Sequence, residues 1–409
     1  MKKLLAYKLL NRYVNLISGI AIFITLYNLP SPSNNPGEKK IDVLINNIKL
    51  SGALLRGELV GGDLYQDIIG LRAIYNNKDP YPILGDAYRE IGVNLDYRHA
   101  STHPPTAFLL LSPISFLSTD IIPIVWSYLM LVLLYCSFIM YGIDWQKSLI
   151  ITLLSLLWTP ITWSCTQITI PIIFGIAAAY NLSKKNEFFC GFFLGLSSLS
   201  KIIPGIGVLV YLVNKKWFSV LGFFSLWIIS CIPILVFSDN AFKRYLEVNQ
   251  TNAIDMVLRT DNSSLLIISH RHGFLLPIVI LFILIIFSNR RILLGDFSNI
   301  RVWMIISFFS VALLPISWIY SISPLIMVVM FFFSSRKIFL VLLSMTCIIL
   351  PNIVTGFAMQ TTTYLPIVTF LCGLGLVNYS GWKRQEERLV SAPRKNLLRS
   401  LFMTVNRSC

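Results

Sequence analysis

The sequence predicts an all-α polytopic membrane protein, on three observations. Its 409 residues are 55% hydrophobic and 13% charged, with a mean hydropathy of +0.70, whereas soluble domains carry about 25% charged residues. Apolar runs near the ~20 residues that a helix needs to cross a bilayer recur along the chain. Lys and Arg cluster at the ends of those runs, as the positive-inside rule expects. The net charge of +15 therefore reads as topology. Membrane lipids are expected partners and nucleic acid is not.

Taken in order, the chain opens with Lys2, Lys3, Lys8 and Arg12, which predict a cytoplasmic N-terminus. The apolar run behind them lacks a small-residue cleavage site and reads as a first transmembrane helix. Hydropathy predicts about twelve spans, at 9–29, 105–118, 121–143, 148–163, 166–183, 188–213, 217–238, 274–288, 300–318, 319–333, 338–354 and 365–380. Residues 1–380 then form one transmembrane domain, and 381–409 a basic cytoplasmic tail. From Lys383 onward that tail has seven basic residues against two acidic, which suits an anionic leaflet.

Alternation of these spans puts both termini inside a cell (plasma or inner) membrane and the loops 30–104 and 239–273 outside. Asn214-Lys215-Lys216, Asn289-Arg290-Arg291 and Arg336-Lys337 fall inside. Lys184-Lys185 lands outside, against the rule. Either that pair is an exception or a neighbouring segment is re-entrant.

The polar chemistry is concentrated in the two outer loops. They hold thirteen of the nineteen acidic residues and all four histidines, His99, His103, His270 and His272. A transporter is expected to keep ionisable groups near the bilayer midplane in matched halves. No internal repeat is evident here, and the charge deep within a predicted span is Lys201. The pattern favours chemistry at a membrane face. The seven cysteines lie in apolar spans or at the extreme end, so neither a disulfide nor a metal cluster is expected.

The first loop organises the rest. Loops longer than about 12–15 residues are functional or disordered. In this one Leu64, Tyr65, Ile68, Ile69, Leu71, Ile74 and Tyr75 recur at spacings near three and four, as on an amphipathic helix lying against a membrane surface. Asp63, after Gly61-Gly62, reads as a helix cap or as a general base taking a proton from an acceptor hydroxyl. Asp67 is four residues on and shares its helical face, as a second acid or as a solvated side chain.

Asp79-Pro80-Tyr81-Pro82 is a turn. His103 precedes Pro104-Pro105, which suits a first helical turn. It reads as an interfacial side chain or as a contact to phosphate or hydroxyl. Lys201 either snorkels to the interface or neutralises a lipid phosphate in a cavity, and Pro204 breaks the helix just beyond it. Gln167 bonds a ligand or a neighbouring helix. Asp261-Asn262-Ser263-Ser264-Leu265 reads as a helix cap, and Trp318 and Tyr320 as interfacial aromatics.

In order and spacing, these pieces resemble the polyprenol-phosphate-sugar-dependent glycosyltransferases of family 87, the bacterial α-mannosyltransferase-like group. The resemblance runs from about residue 60 to 325. The family's Asp, Tyr-containing helix and Gly-x-x-Pro-Tyr end appear as Asp63, the helix with Tyr65, and Pro80-Tyr81, with Asn77 where Gly is usual. Its Tyr-Pro-Pro start and later Pro-Leu appear as His103-Pro104-Pro105 and Pro113-Ile114. Thr166-Gln167 matches the Gly-Gln element without its Gly. Lys201 and Pro204 match Lys-x-x-Pro, and Asn262 to Leu265 match Asn-x-Ser-Leu. Pro315-Ile316-Ser317-Trp318 matches Pro-x-Ser-Trp, with Tyr320 where many members have His; that change bears on the sugar or acceptor used, or on activity itself.

The resemblance implies a GT-C fold with a long first exoplasmic loop and inverting, metal-independent transfer needing no cofactor. The donor would be a polyprenyl phosphate bearing mannose or another hexose or pentose. The acceptor would be a lipid or glycan of the cell envelope at the outer face. Asp63 would be the catalytic base. Tyr65, Asp67, His103, Gln167, Lys201, Asn262, Trp318 and Tyr320 would line the substrate site, with Lys201 or His103 stabilising the leaving phosphate. Two other functions fit the composition: a polysaccharide ligase or polymerase of the envelope, drawing on Arg259, His270, Arg271 and His272, and a lipid or solute transporter.

Overall fold

The computed structural model describes residues 49, 52–53, 55–58, 62–93, 99–146, 148–149, 152–153, 169–258, 264–271, 273–295, 297–314, 372–373 and 376. Among them every regular element is helical. The predicted spans at 9–29, 319–333 and 338–354, the tail 381–409, and most of those at 148–163 and 365–380 lie outside the described residues.

Three described helices are long and apolar enough to cross a membrane: α4 (Ile122–Met140), α8 (Trp217–Phe237) and α11 (Leu275–Leu293). Each begins and ends within a few residues of a predicted span. At a rise of 1.5 Å per residue, the 21 residues of α8 extend about 31 Å, close to a hydrocarbon core. Pro123 starts α4 at a position where its missing N–H costs nothing. Arg290 and Arg291 end α11, where cations complement the helix dipole.

Between these come shorter helices: α1 (Gly62–Tyr75), α2 (Leu84–Glu90), α3 (Pro105–Phe108, continuing as a 3-10 turn over Leu109–Ile114), α5 (Thr169–Leu182), α6 (Glu187–Ser198), α7 (Val208–Val213, preceded by a 3-10 turn over Ile203–Gly207), α9 (Ala241–Leu258), α10 (Leu265–Arg271) and α12 (Ile300–Ala312). Helix α12 is mostly apolar, Arg301 in its first turn aside, and buried along almost its whole length, the mark of a helix enclosed by others.

The predicted span 188–213 is a hairpin instead of one crossing. Its first limb, α6, starts at Glu187, and its second limb, the 3-10 turn and α7, returns to Val213. The two feet meet again, because Lys216 Nζ lies 2.7 Å from Glu187 Oε1 and Tyr211 Oη lies 3.1 Å from Cys190 Sγ. Lys201 is at the tip. Pro204, together with the Leu199–Ile202 break, supplies the physical reason, since proline removes a ladder hydrogen bond and forces a bend. Trp227 Nε1 donates to Ser198 Oγ at 2.8 Å, which fixes the tip halfway along α8. The limbs fit closely: a side-chain carbon at Gly191 would run into the Ser219 carbonyl, and one at Gly222 into that of Phe188.

The predicted span 105–118 does not cross either. Both ends of this segment touch α1. His103 Nδ1 is 2.7 Å from Asp67 Oδ1, while Arg72 donates to the carbonyl oxygens of Ser115 and Leu117 at 3.3 and 3.1 Å. Its helical residues, Pro105 to Ile114, are too few to span a bilayer.

Two non-crossing segments account for the Lys184-Lys185 anomaly. The Glu187–Lys216 pair brings that turn to the same end as Lys215-Lys216, and Asn214 Nδ2 donates to Leu293 O at 2.7 Å, which adds the Arg290-Arg291 end of α11. These basic turns share one end of α8. The acidic segments meet at the other, where the Tyr75 and Phe237 rings contact edge to face.

Helix α1 forms where the apolar spacing predicts it, but it does not simply lie on a surface. Leu64, Tyr65, Gln66, Asp67, Ile68, Leu71 and Ile74 are all buried, because α2, α3 and α8 close around it. Gly70 lets α3 approach, since a side-chain carbon there would strike the Phe108 ring. The helix ends in a Schellman turn: Lys78 N donates to Ala73 O at 2.8 Å and Asn77 takes φ +50°. Asn tolerates that left-handed conformation better than most residues, which explains how it stands where the resembled pattern has Gly.

Candidate functional site

The tip of the α6–α7 hairpin, the start of α3 and the first half of α1 converge on four charged side chains. Asp67 and His103 form the core. Asp67 is 2% exposed and His103 15%, and Oδ1 and Nδ1 are 2.7 Å apart. The carboxamide of Gln66 flanks the same ring nitrogen at 3.3 Å. Asp63, in the first turn of α1, acts electrostatically on both His103 and Lys201, and Lys201 in turn acts on His103. Thus Asp63, Asp67, His103 and Lys201 share one field, although the chain separates the first from the last by more than a hundred residues.

Backbone ties hold these groups in register. Thr106 Oγ1 donates to Leu199 O at 2.6 Å, fastening α3 to the hairpin tip two residues before Lys201. The Tyr81 hydroxyl donates to His103 O at 2.9 Å. Tyr81 is buried against the rings of Phe108 and Tyr245. The tight turn over Asp79-Pro80 delivers it there, with Tyr81 N bonded to Asp79 Oδ1 at 2.9 Å. Ser200, 1% exposed, has a hydroxyl with no partner among the described residues.

The charges respond to burial and to each other. For His103, burial favours the neutral ring, but the Asp67 carboxylate, aided by Asp63, outweighs it and raises the pKa. Burial raises the Asp67 carboxyl, while His103 opposes that rise. The pair therefore shares a proton that neither partner releases readily. The Tyr81 phenol is pushed far up, chiefly by burial and then by neighbouring Tyr245, Asp67 and Asp79, so it stays a hydrogen-bond donor.

Beyond this cluster, a polar cleft of about 440 Å³ lies where the Asn77–Pro80 turn meets the start of α9, with Asp239, Lys243 and Arg244 among its lining. Arg244 reaches Asp79 at 2.9 Å and Glu247 at 2.8 Å, joining the two loops predicted to share a face.

The predicted site residues divide accordingly. Asp63, Asp67, His103 and Lys201 come together. Tyr65 is buried, its phenol raised by burial and by the charge of Asp120, and so it answers to a different neighbour. Gln167, Asn262, Trp318 and Tyr320 lie outside the described residues. Ser264, two residues after Asn262, bonds Leu314 O at 2.5 Å and caps α10 through Ile267 N at 3.4 Å; it brings the second loop to the residue before Pro315. Thr106 and Gln66 are positioning groups that sequence reasoning did not single out, and Tyr81, read there as part of a turn and of the Pro-Tyr element, is a third.

A helical membrane protein with charged side chains enclosed between two non-crossing segments defines the class. Sequence comparison gives the family: the model of glycosyltransferase family 87 matches residues 102–351, more than half of the chain, and the protein belongs to that family. No curated protein and no solved structure matches the chain. His103, Gln167, Lys201, Asn262, Trp318 and Tyr320 fall within the matched residues; Asp63, Tyr65 and Asp67 precede them.

Proposed function

We propose that this glycosyltransferase moves a sugar, mannose or another hexose or pentose, from a polyprenyl phosphate to a hydroxyl of a lipid or glycan at the outer face of the membrane. The observation that carries this reading is the hairpin tip. A lysine is held inside a family 87 chain, in the electrostatic range of Asp63, where an anionic lipid donor would need a cation.

Asp63 takes the proton of the acceptor hydroxyl as its oxygen bonds to the anomeric carbon. The bond from that carbon to the phosphate oxygen breaks, and the electron pair leaves on the phosphate. Attack opposite the leaving group inverts the configuration. Lys201 and His103 take up the charge that develops on the departing phosphate.

The test is transfer of radiolabelled mannose from a polyprenyl phosphate to membrane lipid extract, with Asp63→Asn compared at matched expression. Loss of a general base is expected to cost on the order of 10²- to 10⁴-fold in rate. Equal activity in both proteins would remove Asp63 from the mechanism. If neither is active with mannose, the series is repeated with other sugars on the same lipid, and silence throughout would reject the donor class.

A further inference from the structure

We propose that Asp67 is a positioning residue that keeps His103 an imidazolium, so that the ring serves as a second cationic anchor for the donor's phosphate. The inference rests on the donor class and the His103 role proposed above, and assigns a role to Asp67, which the reaction as written leaves unexplained.

The geometry carries it. Asp67 is almost fully buried and spends Oδ1 on His103 Nδ1 at 2.7 Å. That bond fixes the ring's orientation and, with Asp67 ionised, has Nδ1–H as its donor. The other ring nitrogen, Nε2, has no hydrogen-bond partner among the described residues, and the ring keeps some exposure. The backbone on either side is immobilised by Tyr81 at the His103 carbonyl and by Ser101 Oγ at the His103 N–H, 3.2 Å away. An imidazole bonded through one nitrogen to a buried carboxylate is pre-aimed at whatever meets the other.

Charge decides between two roles. An Asp–His pair can act as a base if the imidazole is neutral, or as an anion anchor if it is protonated. The groups facing His103 are Asp67 and Asp63 on α1 and Lys201 on the hairpin tip. With both lysine and imidazole protonated, a phosphate meets two cationic donors. Tyr81 and Tyr245, nearby on other elements, stay uncharged because their phenol pKa values are raised. The same imidazolium has no free lone pair, so it does not compete with Asp63 for the acceptor's proton.

The probe is farnesyl phosphate, with farnesol as the phosphate-free control, bound to the full-length protein in detergent between pH 6 and 9. Wild-type affinity is expected to fall as pH rises through the raised His103 pKa. In Asp67→Asn that fall should move to lower pH, because the counter-charge is gone; Asp67→Glu should restore it. His103→Gln should bind about tenfold or more weakly at pH 7, the worth of a charged hydrogen bond. The ligand's own second ionisation, about pH 6, and any loss of charge at Lys201 are common to all these variants, so the comparison reads the shift between variants and not the fall in the wild type alone. Thermal melts exclude variants that do not fold.

Four outcomes would overturn the proposal. His103→Gln could bind as wild type does. Asp67→Asn could weaken binding equally at every pH, leaving Asp67 a merely structural part. Affinity could rise with pH through the His103 transition, which would make the ring a base. Farnesyl phosphate could bind no better than farnesol, which would reject the donor class as well. Asp63→Asn separates the two claims: it should lose transfer while keeping a pH-dependent fall in binding, moved to lower pH because Asp63 also favours the imidazolium, and normal transfer would sink the base while leaving the anchor standing.

Discussion

The hydroxyl of Tyr81 donates to the carbonyl oxygen of His103 across 2.9 Å. The two residues come from opposite ends of a polar segment, and this bond closes it into a frame around the imidazole. Tyr81→Phe keeps the ring packing and deletes the bond, leaving a part-buried carbonyl unpaired. A stability loss of about 1–2 kcal/mol is expected, read as a lower melting temperature in detergent. Transfer should fall further than that loss accounts for, because the ring nitrogen is displaced.

Thr106 ties α3 to the hairpin through Leu199 O, at 2.6 Å. Thr106→Val retains the shape but removes the donor from a buried carbonyl, at a cost of about 1–3 kcal/mol. The specific consequence should appear in kcat more than in KM for the acceptor, since the tether sets where Lys201 sits relative to His103. Thr106→Ser should recover most of the rate.

The ends of the molecule can be told apart chemically. Single cysteines at Lys184 and Lys215, in a background lacking native cysteines, should react with an impermeant maleimide from the same side of the membrane. A cysteine at Asn240, beside the Asp79–Arg244 pair, should react from the other. Labelling of Lys184→Cys together with Asn240→Cys would contradict the hairpin.

Much of this arrangement was legible in the residues. The long spans α4, α8 and α11 follow from apolar length alone, and α1 from the spacing between Leu64 and Tyr75. The break at Pro204 and the oddity of Lys184-Lys185 were both visible, but hydropathy scores only local polarity. It has no means to tell a limb that returns from one that crosses. The burial of Asp67, named as a second acid or a solvated side chain, was hidden for a related reason. A carboxylate in a polar loop resembles a solvated one, and its burial comes from α2, α3 and α8 closing over it, which no local pattern encodes. His103 was noticed for its neighbours Pro104-Pro105, whereas its partner lies 36 residues upstream. Gln167, Asn262, Trp318 and Tyr320 remain expectations of the family pattern.

The short limbs of the hairpin bear on biogenesis. Neither the twelve residues of α6 nor the stretch from Ile203 to Val213 is long enough to leave a translocon into lipid alone, and an isolated half-length hairpin would carry Lys201 and open backbone groups into hydrocarbon. It is expected to wait in the translocon for α8, the next segment synthesised, whose Trp227 donates to Ser198 and whose backbone meets Gly191. Insertion of this part of the chain is thus cooperative. Lys201 can enter the bilayer only in company with the helix that shelters it.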